Sequence, residues 1–512
     1  KLLLMGNEKF WGVLKQIYNK CGVWNENYGS LLDELKDSKR TVCYRSILIS
    51  ENEKKRLLDD VMENPYDLFY YGKYLVKEYP EQVYELCYKE ISESCAQAKD
   101  RREYKKITKN IAQLIKWKGN DMKILLLQQP KSFSDYPEWI KEVQERFGRL
   151  EVMVFTSDNR AVHHRWPNSV IKEIVVSDYS SDSATAEFFD IVRKFKPDRI
   201  ISSSEEDVLR VAEARSLFGI PGLQYELALR CRDKVTMKQT ALNAGLKVIP
   251  YTSCKSFGDI ISAFDRWKTV VLKPRWGAGS AGITILHSKD DLSVLATKPE
   301  FVKNIHSNQY YLEEYCSGSV YHVDVVYINS DSILISPSRY LVPPLDFEKQ
   351  NTGSVMLDEN DADYSELLRL TKQLIESFKD QTIPNVMHIE FYKNETGDFI
   401  FGEMAARRGG GLIKQELTAA YGMDQSKANF LLELGLVDAD TSITRSSQYG
   451  ILLETAGLNW PKEKEIPDWA VLESVGKKKG IAHNSVDSDR KFLISGDNEA
   501  EIIQRSNHLI HG

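Results

Sequence analysis

The sequence predicts a mixed α/β (α+β) protein of several domains, in which an all-helical module precedes a parallel α/β domain and β-rich regions. Length gives the first indication, because 512 residues correspond to three or four domains at about 150 residues each. The second is a change of hydrophobic period near Gly119, from helical spacing to short strands that alternate with helices. The third is a C-terminal half in which apolar strand-like segments predominate.

Composition narrows the class of protein. The chain carries 68 Lys+Arg against 74 Asp+Glu, a net charge of −6, so it has no basic excess with which to bind nucleic acid in general. Apolar runs such as Ile124–Leu127 are too short to span a bilayer, and no secretory signal is recognisable after Lys1. The 7 cysteines include no CxxC pair, which favours reduced thiols in the cytoplasm and argues against a cysteine zinc site.

Residues 1–120 are predicted to be helical. Two sets of apolar residues recur at helical spacing: Val83, Leu86, Cys87, Ile91 and Ile107, Ile111, Leu114, Ile115. Tyrosines and phenylalanines are dense between residues 66 and 88, and we interpret them as packing between helices rather than as a docking surface. Residues 101–120 hold 7 Lys/Arg and one acid, which favours a solvated helix face over contact with an acidic carrier or protein partner.

Short apolar strands and amphipathic helices alternate after residue 120. The predicted strands are Lys123–Gln128, Val152–Ser157, Ile174–Val176 and Arg199–Ser204, and the predicted helices are Glu138–Arg149 and Ala184–Phe195. This order predicts a small parallel sheet with helices on both faces. No G-x-G-x-x-G follows the first strand, so a dinucleotide site there is unsupported. Ligands of such sheets bind beyond the carboxyl ends of the strands, which makes Ser202–Glu206 a candidate lining.

The first motif with chemical meaning is a glycine-rich loop between two apolar strands, within Val270–Leu286. The first strand ends at Lys273, and the loop contains Gly277, Gly279, Ser280 and Gly282. Glycines let backbone N–H groups approach phosphate oxygens, and a lysine adds a positive charge. The alternative is a plain glycine-rich hairpin.

The second motif is a strand, a short connection and another strand within Tyr311–Val326. A connection of this kind offers backbone groups to a purine edge, with Glu313 accepting a hydrogen bond from an exocyclic amine. By itself the motif is weak, because exposed acidic turns are common.

The third motif is a hairpin that brings two glutamates together. Strand alternation places His388 and Glu390 on one face, and a turn at Glu395–Asp398 sets Glu390 directly opposite Glu403. Like charges in that position repel unless a cation lies between them, and a pair of carboxylates suits Mg²⁺. Arg407 follows, beside Gly409–Gly411, and is suited to hold an anion. The alternative is a solvated hairpin with outward charges.

Taken together, these residues resemble the ATP-grasp superfamily, most closely its L-amino acid ligase branch. The matching segments, in order, are Arg232–Lys238, the Lys273 glycine loop, Glu313-Glu314, His388-x-Glu390 and Glu403-x-x-x-Arg407. The resemblance covers roughly residues 121–512 and implies an ATP-grasp fold behind a Rossmann-like α/β domain. It says nothing of residues 1–120, which we treat as an added helical module.

The resemblance also implies a role for each matching residue. Lys234 and Lys273, with the glycine loop, correspond to phosphate-binding groups, and Glu313, Glu314, Tyr315 and Cys316 correspond to the adenine hinge. Glu390 and Glu403 correspond to metal ligands, and Arg407 to the arginine that holds an acyl phosphate or carboxylate.

Two departures from the pattern affect these assignments. Ala405 replaces the asparagine of a common Glu-x-Asn motif, and Val320 stands near the usual ribose-binding acid, with Asp324 as the substitute. For His388, orientation of a metal carboxylate is favoured over a role as a base.

The function implied is an ATP-dependent carboxylate–amine ligase that joins amino acids through an acyl phosphate and releases ADP and phosphate. ATP and Mg²⁺, or Mn²⁺ in its place, are the expected cofactors. Small-molecule acids and amines are the expected partners, without nucleic acid or membrane and with a homodimer left open. The alternatives are a carboxylase-type or purine-pathway ATP-grasp enzyme and a non-catalytic nucleotide-binding scaffold. The expected regions are a helical module (1–120), an α/β domain (121–228), ATP-grasp subdomains A (229–308) and B (309–430), and a β-rich C-terminal region (431–512).

Overall fold

The computed structural model describes most of the chain. The described residues are 9–65, 67–76, 78–117, 121–128, 135–146, 149–157, 166–202, 204–277, 279, 282–343, 351–378, 383–436, 443–455, 466–475 and 488–511. The chain forms two compact units, residues 1–122 with 141–150, and residues 123–140 with 151–512.

The N-terminal part is helical, as the sequence predicts. Its described residues form α1 (Lys9–Lys20), α2 (Trp24–Asp37), α3 (Thr41–Ser50), α4 (Lys54–Glu63), α5 (Leu68–Leu75), α6 (Pro80–Gln97) and α7 (Arg101–Trp117). Val83 and Cys87 are buried in a shared core, whereas Ile111 of the predicted apolar face is partly exposed. The aromatic residues divide between the two interpretations, because Tyr71 is buried in the core while Tyr70 is about half exposed.

A four-stranded parallel sheet follows, with strand order β3-β2-β1-β4. Its elements are β1 (Asp121–Gln128), α8 (Tyr136–Arg146), β2 (Arg149–Ser157), β3 (Val170–Val176), α9 (Asp182–Phe195), β4 (Arg199–Ile201), α10 (Val208–Phe218) and α11 (Tyr225–Arg230). The predicted strands are confirmed, and β1, β2 and β4 bury short apolar runs, as Leu125 and Ile200 do, whereas β3 is buried mainly at Val176. The strand predicted as Arg199–Ser204 ends earlier, at Ile201.

A smaller antiparallel sheet comes next, with strand order β5-β8-β6-β7. Its elements are α12 (Lys234–Asn243), β5 (Tyr251–Cys254), α13 (Phe257–Phe264), β6 (Val270–Pro274), β7 (Thr284–Leu286), α14 (Lys289–Ala296), α15 (Pro299–Ile305) and β8 (Tyr310–Glu314). Asp233 caps α12, since its side chain accepts hydrogen bonds from the backbone N–H groups of Val235 and Thr236. The expected subdomain boundary at 308/309 precedes β8, which the structure pairs with β5 and β6.

An eight-stranded antiparallel sheet contains the remaining strands in the order β13-β12-β9-β10-β11-β14-β16-β15. The elements are β9 (Ser319–Asn329), β10 (Ser332–Tyr340), β11 (Thr352–Met356), α16 (Ala362–Glu376), β12 (Val386–Lys393), β13 (Phe399–Ala405), α17 (Ile413–Tyr421), α18 (Gln425–Glu433), β14 (Gln448–Thr455), β15 (Ala470–Val475), β16 (Ser488–Gly496) and α19 (Glu499–His511). The strands after residue 431 therefore extend the same sheet as those of the preceding region. Among the described residues, no helix combines the length and apolar composition that crossing a membrane requires.

The β12–β13 hairpin has the predicted Glu390–Glu403 pairing, but its turn and its register near the turn differ from the prediction. Lys393 pairs with Phe399, so the turn holds one residue more than predicted, and the register near it is shifted by one. An irregularity past Phe391 leaves Gly402 as an extra residue and restores the predicted pairing of Glu390 with Glu403. A Cβ at Gly402 would lie 2.8 Å from the Tyr392 ring, so only glycine fits this bulge without a shift.

Candidate functional site

The two glutamates that face each other across the hairpin have different partners. The Lys234 ammonium group, at the start of α12, lies 2.6 Å from Glu403 Oε2. The Tyr340 hydroxyl donates a hydrogen bond to Glu390 Oε1 at 3.2 Å, and His388 Nε2 lies 3.6 Å from the same oxygen. Burial would raise the pKa of Glu403, but the positive charges of Lys234, Lys273 and Arg407 lower it.

This donor set fits a hard divalent cation. Both glutamates offer carboxylate oxygens, the ligand type that Mg²⁺ prefers, and they are direct cross-strand partners. Their side chains are 18% and 36% exposed, so an ion from solvent has access to them. The Lys234 ammonium group places a positive charge beside Glu403. This is consistent with the prediction that a cation offsets the repulsion between the two glutamates.

Lys273, Glu313 and Lys238 form a buried ion triad. The Lys238 and Lys273 ammonium groups lie 2.6 Å from Glu313 Oε1 and 2.6 Å from Oε2, and the Tyr311 hydroxyl also donates to Oε1. Burial would raise the pKa of Glu313, but the two lysines outweigh it and lower the pKa to about 2. Both oxygens are thus engaged inside the protein, which speaks against the predicted contact between this carboxylate and an adenine amine.

Sequence reasoning gave no role to Lys238. The signal for it was the spacing within Arg232–Lys238, because Lys238 follows Lys234 by four residues and so lies one helical turn further along the same face. Burial lowers the pKa of Lys238, while the charge of Glu313 opposes that effect.

The predicted hinge lies beside a cavity of about 260 Å³. Its walls come from the hinge and from the β12–β13 turn: Ile249, Pro250, Glu314, Tyr315, Cys316, Ser317, Asn394, Glu395, Thr396 and Ile400. The backbone N–H groups of Glu314 and Tyr315 donate to Pro250 and Thr269 and thereby fix the hinge to the small sheet. The structure therefore brings three predicted hinge residues, Glu314, Tyr315 and Cys316, to one cavity.

The glycine loop lies between β6 and β7, as predicted. Gly279 and Gly282 adopt positive φ angles of 61° and 74°, which favour glycine. A Cβ at Gly282 would lie 3.0 Å from Pro274, and the Gly277 carbonyl accepts a hydrogen bond from Arg232. Ser280 lies outside the described residues.

Arg407 and Arg408 point toward different partners. Arg407 Nε donates to Glu205, in the segment that follows β4, and its Nη1 donates to the Arg408 carbonyl. Burial opposes its charge, but Glu205 raises the pKa of Arg407. Arg408 Nη1 donates instead to the Gly409 carbonyl at 2.9 Å. The structure therefore brings Glu205, one residue of the predicted lining Ser202–Glu206, to Arg407.

Asp324 lies inside the sheet rather than at an open edge. Its Oδ2 lies 2.7 Å from His322 Nδ1 and its Oδ1 lies 3.0 Å from His388 Nδ1. Because Asp324 is only 1% exposed and both oxygens are engaged, this geometry speaks against the predicted contact with a ribose hydroxyl. Burial would lower the pKa of His388, but Asp324 raises it to about 10.

Comparisons of the sequence and the fold with known proteins identify relatives of this chain. No family model matches the chain. The sequence is 30% identical over 306 residues to the L-arginine-specific L-amino acid ligase of Bacillus subtilis. The match covers 57% of this chain and 71% of that protein.

Several solved structures share the fold. The structure is similar to that of an L-amino acid ligase from Bacillus licheniformis, with a TM-score of 0.58 and 14% identity over 76% of this chain and 97% of that one. It is also similar to N5-carboxyaminoimidazole synthetase from Staphylococcus aureus complexed with ADP, with a TM-score of 0.54 and 16% identity over 76% and 97% of the two chains.

Proposed function

This chain belongs to the L-amino acid ligase family of ATP-grasp enzymes, and from that premise we propose how its site joins a carboxylate to an amine. As a member of that family it is an ADP-forming ligase that makes carbon–nitrogen bonds. The observation that carries the residue assignments is the Glu390–Glu403 pair, flanked by Lys234 and followed by Arg407.

ATP is the proposed phosphoryl donor, bound between the small and the large sheet. Lys234, Lys273 and the backbone N–H groups of the glycine loop hold its phosphates, because they supply positive charge and close backbone approach. The cavity at Glu314–Cys316 receives the base. Binding requires Lys234 and Lys273 to exchange part of their contact with Glu403 and Glu313 for contact with phosphate oxygens.

Glu390 and Glu403 are the proposed ligands of Mg²⁺, with Mn²⁺ as an alternative ion. When bound, the ion neutralises charge on the phosphate oxygens. Tyr340 and His388 hold Glu390, and Lys234 holds Glu403, so the chain itself keeps both carboxylates in place.

The reaction takes place in two balanced steps. A carboxylate oxygen of the acid substrate attacks the γ-phosphorus of ATP, the bond to the β–γ bridging oxygen breaks, and ADP leaves. The nitrogen of the amine substrate then attacks the acyl carbon, inorganic phosphate leaves with the former carboxylate oxygen, and the nitrogen gives up a proton. Lys234 and Lys273 stabilise charge in the first step, and Arg407 holds the acyl phosphate with charge-assisted hydrogen bonds.

Amino acids are the proposed acid and amine substrates. The named relative from Bacillus subtilis is specific for L-arginine, which makes L-arginine the first acid to test. Glu205 lies against Arg407 and Arg232, so an anionic substrate that takes Arg407 must displace this carboxylate or share the arginine with it.

The helical module remains a candidate docking element for a protein or carrier partner, and we propose a cytoplasmic reaction. Light scattering of the full chain would show whether it forms a homodimer.

The deciding experiment measures ADP and phosphate release with L-arginine paired in turn with each other amino acid, and identifies the product by mass spectrometry. A dipeptide formed in step with ADP supports the proposal. ADP release that depends on bicarbonate would indicate a carboxylase-type enzyme, and nucleotide binding without release under any pairing would indicate a scaffold.

A further inference from the structure

A network of buried side chains supports Glu390 from behind. In the antiparallel pairing of β9 with β12, His388 lies opposite Asp324 and Glu390 lies opposite His322. Residues two apart on a strand share a face, so these four side chains form two adjacent pairs on one face of the large sheet. Asp324 contacts both histidines, with its Oδ2 2.7 Å from His322 Nδ1 and its Oδ1 3.0 Å from His388 Nδ1.

The network meets Glu390 at a single oxygen atom. His388 Nε2 lies 3.6 Å from Glu390 Oε1, and the Tyr340 hydroxyl donates to the same Oε1 at 3.2 Å. The Tyr340 ring in turn packs on His322, with 4.8 Å between ring centroids. Two supports, one through His388 and one through Tyr340, therefore converge on Oε1 and both trace back to Asp324.

Burying these polar side chains costs folding free energy. Asp324 is 1% exposed and His322 is fully buried, so each polar group needs a partner within the protein. His322 Nε2 has no hydrogen-bond partner among the described residues, although its Nδ1 is engaged with Asp324. An apolar pair would fill the same space without leaving a buried nitrogen unsatisfied, so stability alone does not explain the set.

We propose that Asp324 is a positioning residue, which fixes the Glu390 carboxylate through His388 and Tyr340 and so presents it to a divalent cation. This inference rests on the proposed role of Glu390 as a metal ligand. Partners behind a ligand commonly set its orientation, and their loss typically weakens metal affinity by roughly 10- to 100-fold.

The same residues have a rival interpretation as a metal site of their own. The donor atoms of His322, Asp324 and His388 lie within 4.8 Å of one another. Two imidazoles and one carboxylate would suit a transition metal. However, both Nδ1 atoms are already engaged with Asp324, so the three groups bind each other rather than leave their lone pairs directed at a common point.

The test measures Mn²⁺ affinity by electron paramagnetic resonance, in the full chain with saturating ADP. The variants are Asp324→Asn, which removes the charge at the centre of the network, and Tyr340→Phe, which removes only one hydroxyl. Glu454→Gln is the matched control, because Glu454 is an equally buried carboxylate held by Arg490 on another part of the large sheet. Glu390→Gln tests the underlying metal assignment.

The expected result is a loss of Mn²⁺ affinity of roughly 10- to 100-fold in Asp324→Asn and a smaller loss in Tyr340→Phe. Affinity for ADP without metal should stay within about twofold of wild type in both variants, and Glu454→Gln should bind Mn²⁺ like wild type. Tyr340→Phe carries the test if Asp324→Asn does not fold.

The measurements distinguish a failure of the proposed metal site from a failure of the positioning role. Unchanged Mn²⁺ affinity in Glu390→Gln overturns the proposed metal site. A loss in Glu390→Gln without any loss in Asp324→Asn or Tyr340→Phe overturns the positioning role alone. A parallel loss of metal-free ADP affinity would reduce Asp324 to a structural residue. Stoichiometric Zn²⁺ in the purified protein that disappears only in Asp324→Asn would show that the histidine cluster is itself the metal site.

Discussion

Lys234 and Glu403 form an ion pair, with 2.6 Å between Nζ and Oε2, that links the first residue of α12 to the β13 strand. In the proposed mechanism the lysine binds phosphate and the glutamate binds metal. The pair therefore joins the two halves of the phosphate site before nucleotide arrives. Its existence explains how a strand pair tolerates two facing glutamates, because one of them already has a positive partner.

We expect Glu403→Gln to fold but to lose most ADP release. The amide keeps the shape of the side chain, yet it is a poorer metal ligand and cannot form the ion pair with Lys234. The loss of charge stabilisation at the phosphate should cost roughly a hundredfold or more in rate, about 3 kcal/mol. Coupled-enzyme assay of ADP release at saturating Mg²⁺ checks this, with exposed Glu473→Gln of β15 as control. Turnover near wild type would contradict the metal assignment.

Arg407→Lys and Arg408→Lys should differ. Arg407 contacts Glu205 at the proposed substrate site, whereas Arg408 donates to the Gly409 carbonyl. A lysine cannot reproduce the two parallel hydrogen bonds of a guanidinium, so Arg407→Lys should keep binding of an ATP analogue in a thermal-shift assay and lose ligation by about 1–3 kcal/mol. Arg408→Lys should lose much less. Equal losses of ligation activity in the two variants would contradict the proposal that Arg407 binds the acyl phosphate.

The helical module should be dispensable for the chemistry. All the residues proposed here for ATP, metal and acyl phosphate lie after residue 200, and the helices described between residues 9 and 117 have a core of their own. We expect residues 121–512 alone to retain ADP-forming ligation of small amino acids, measured as product per ADP, with altered affinity only for a large or carrier-bound substrate. Aggregation of the fragment would show instead that the helices complete its core.

Parts of this structure follow from local patterns in the sequence. The strands of the parallel sheet could be located because each contains a short apolar run, such as Ile124–Leu127, that polar residues flank in the sequence. The Glu390–Glu403 pairing followed from strand alternation and from counting across a turn. The count succeeded although the turn is one residue longer than predicted, because the bulge at Gly402 compensates for it.

The site's ion pairs could not be derived in this way. Arg407 and Glu205 are separated by 202 residues, and only the packing of the α/β domain against the large sheet brings them together. Asp324 was assigned to ribose because the sequence does not reveal that β9 lies beside β12, where His388 takes up one of its oxygens. The hinge position and the resemblance predict an adenine contact for Glu313, and the sequence does not reveal the two lysines that engage it, because they lie on two other elements.

The ion triad of Lys238, Glu313 and Lys273 predicts an acid-sensitive core in the small sheet. The folded state lowers the pKa of Glu313 from 4.5 to about 2. A carboxyl whose pKa is lowered by folding stabilises the protein fully above its unfolded pKa, and that contribution disappears as pH falls through the folded pKa. The stabilisation is thus present above pH 4.5 and is lost between about pH 4.5 and pH 2. From the shift its size is on the order of 3 kcal/mol.

We therefore expect Glu313→Gln to be markedly less stable than wild type near pH 6, and the difference to shrink as the pH approaches 2. The variant also leaves Lys238 and Lys273 buried without a counter-charge, which adds to its loss of stability. Pulsed hydrogen exchange of the peptide that covers Tyr310–Glu314, followed across a urea series at each pH, measures the stability of this sheet directly. Glu314→Gln is the matched control, because adjacent strand residues face opposite ways. If the difference in stability between wild type and Glu313→Gln stays constant from pH 6 to pH 2.5, the triad does not hold Glu313 ionised. Lys273 would then have no negative partner at Glu313 before phosphate binds.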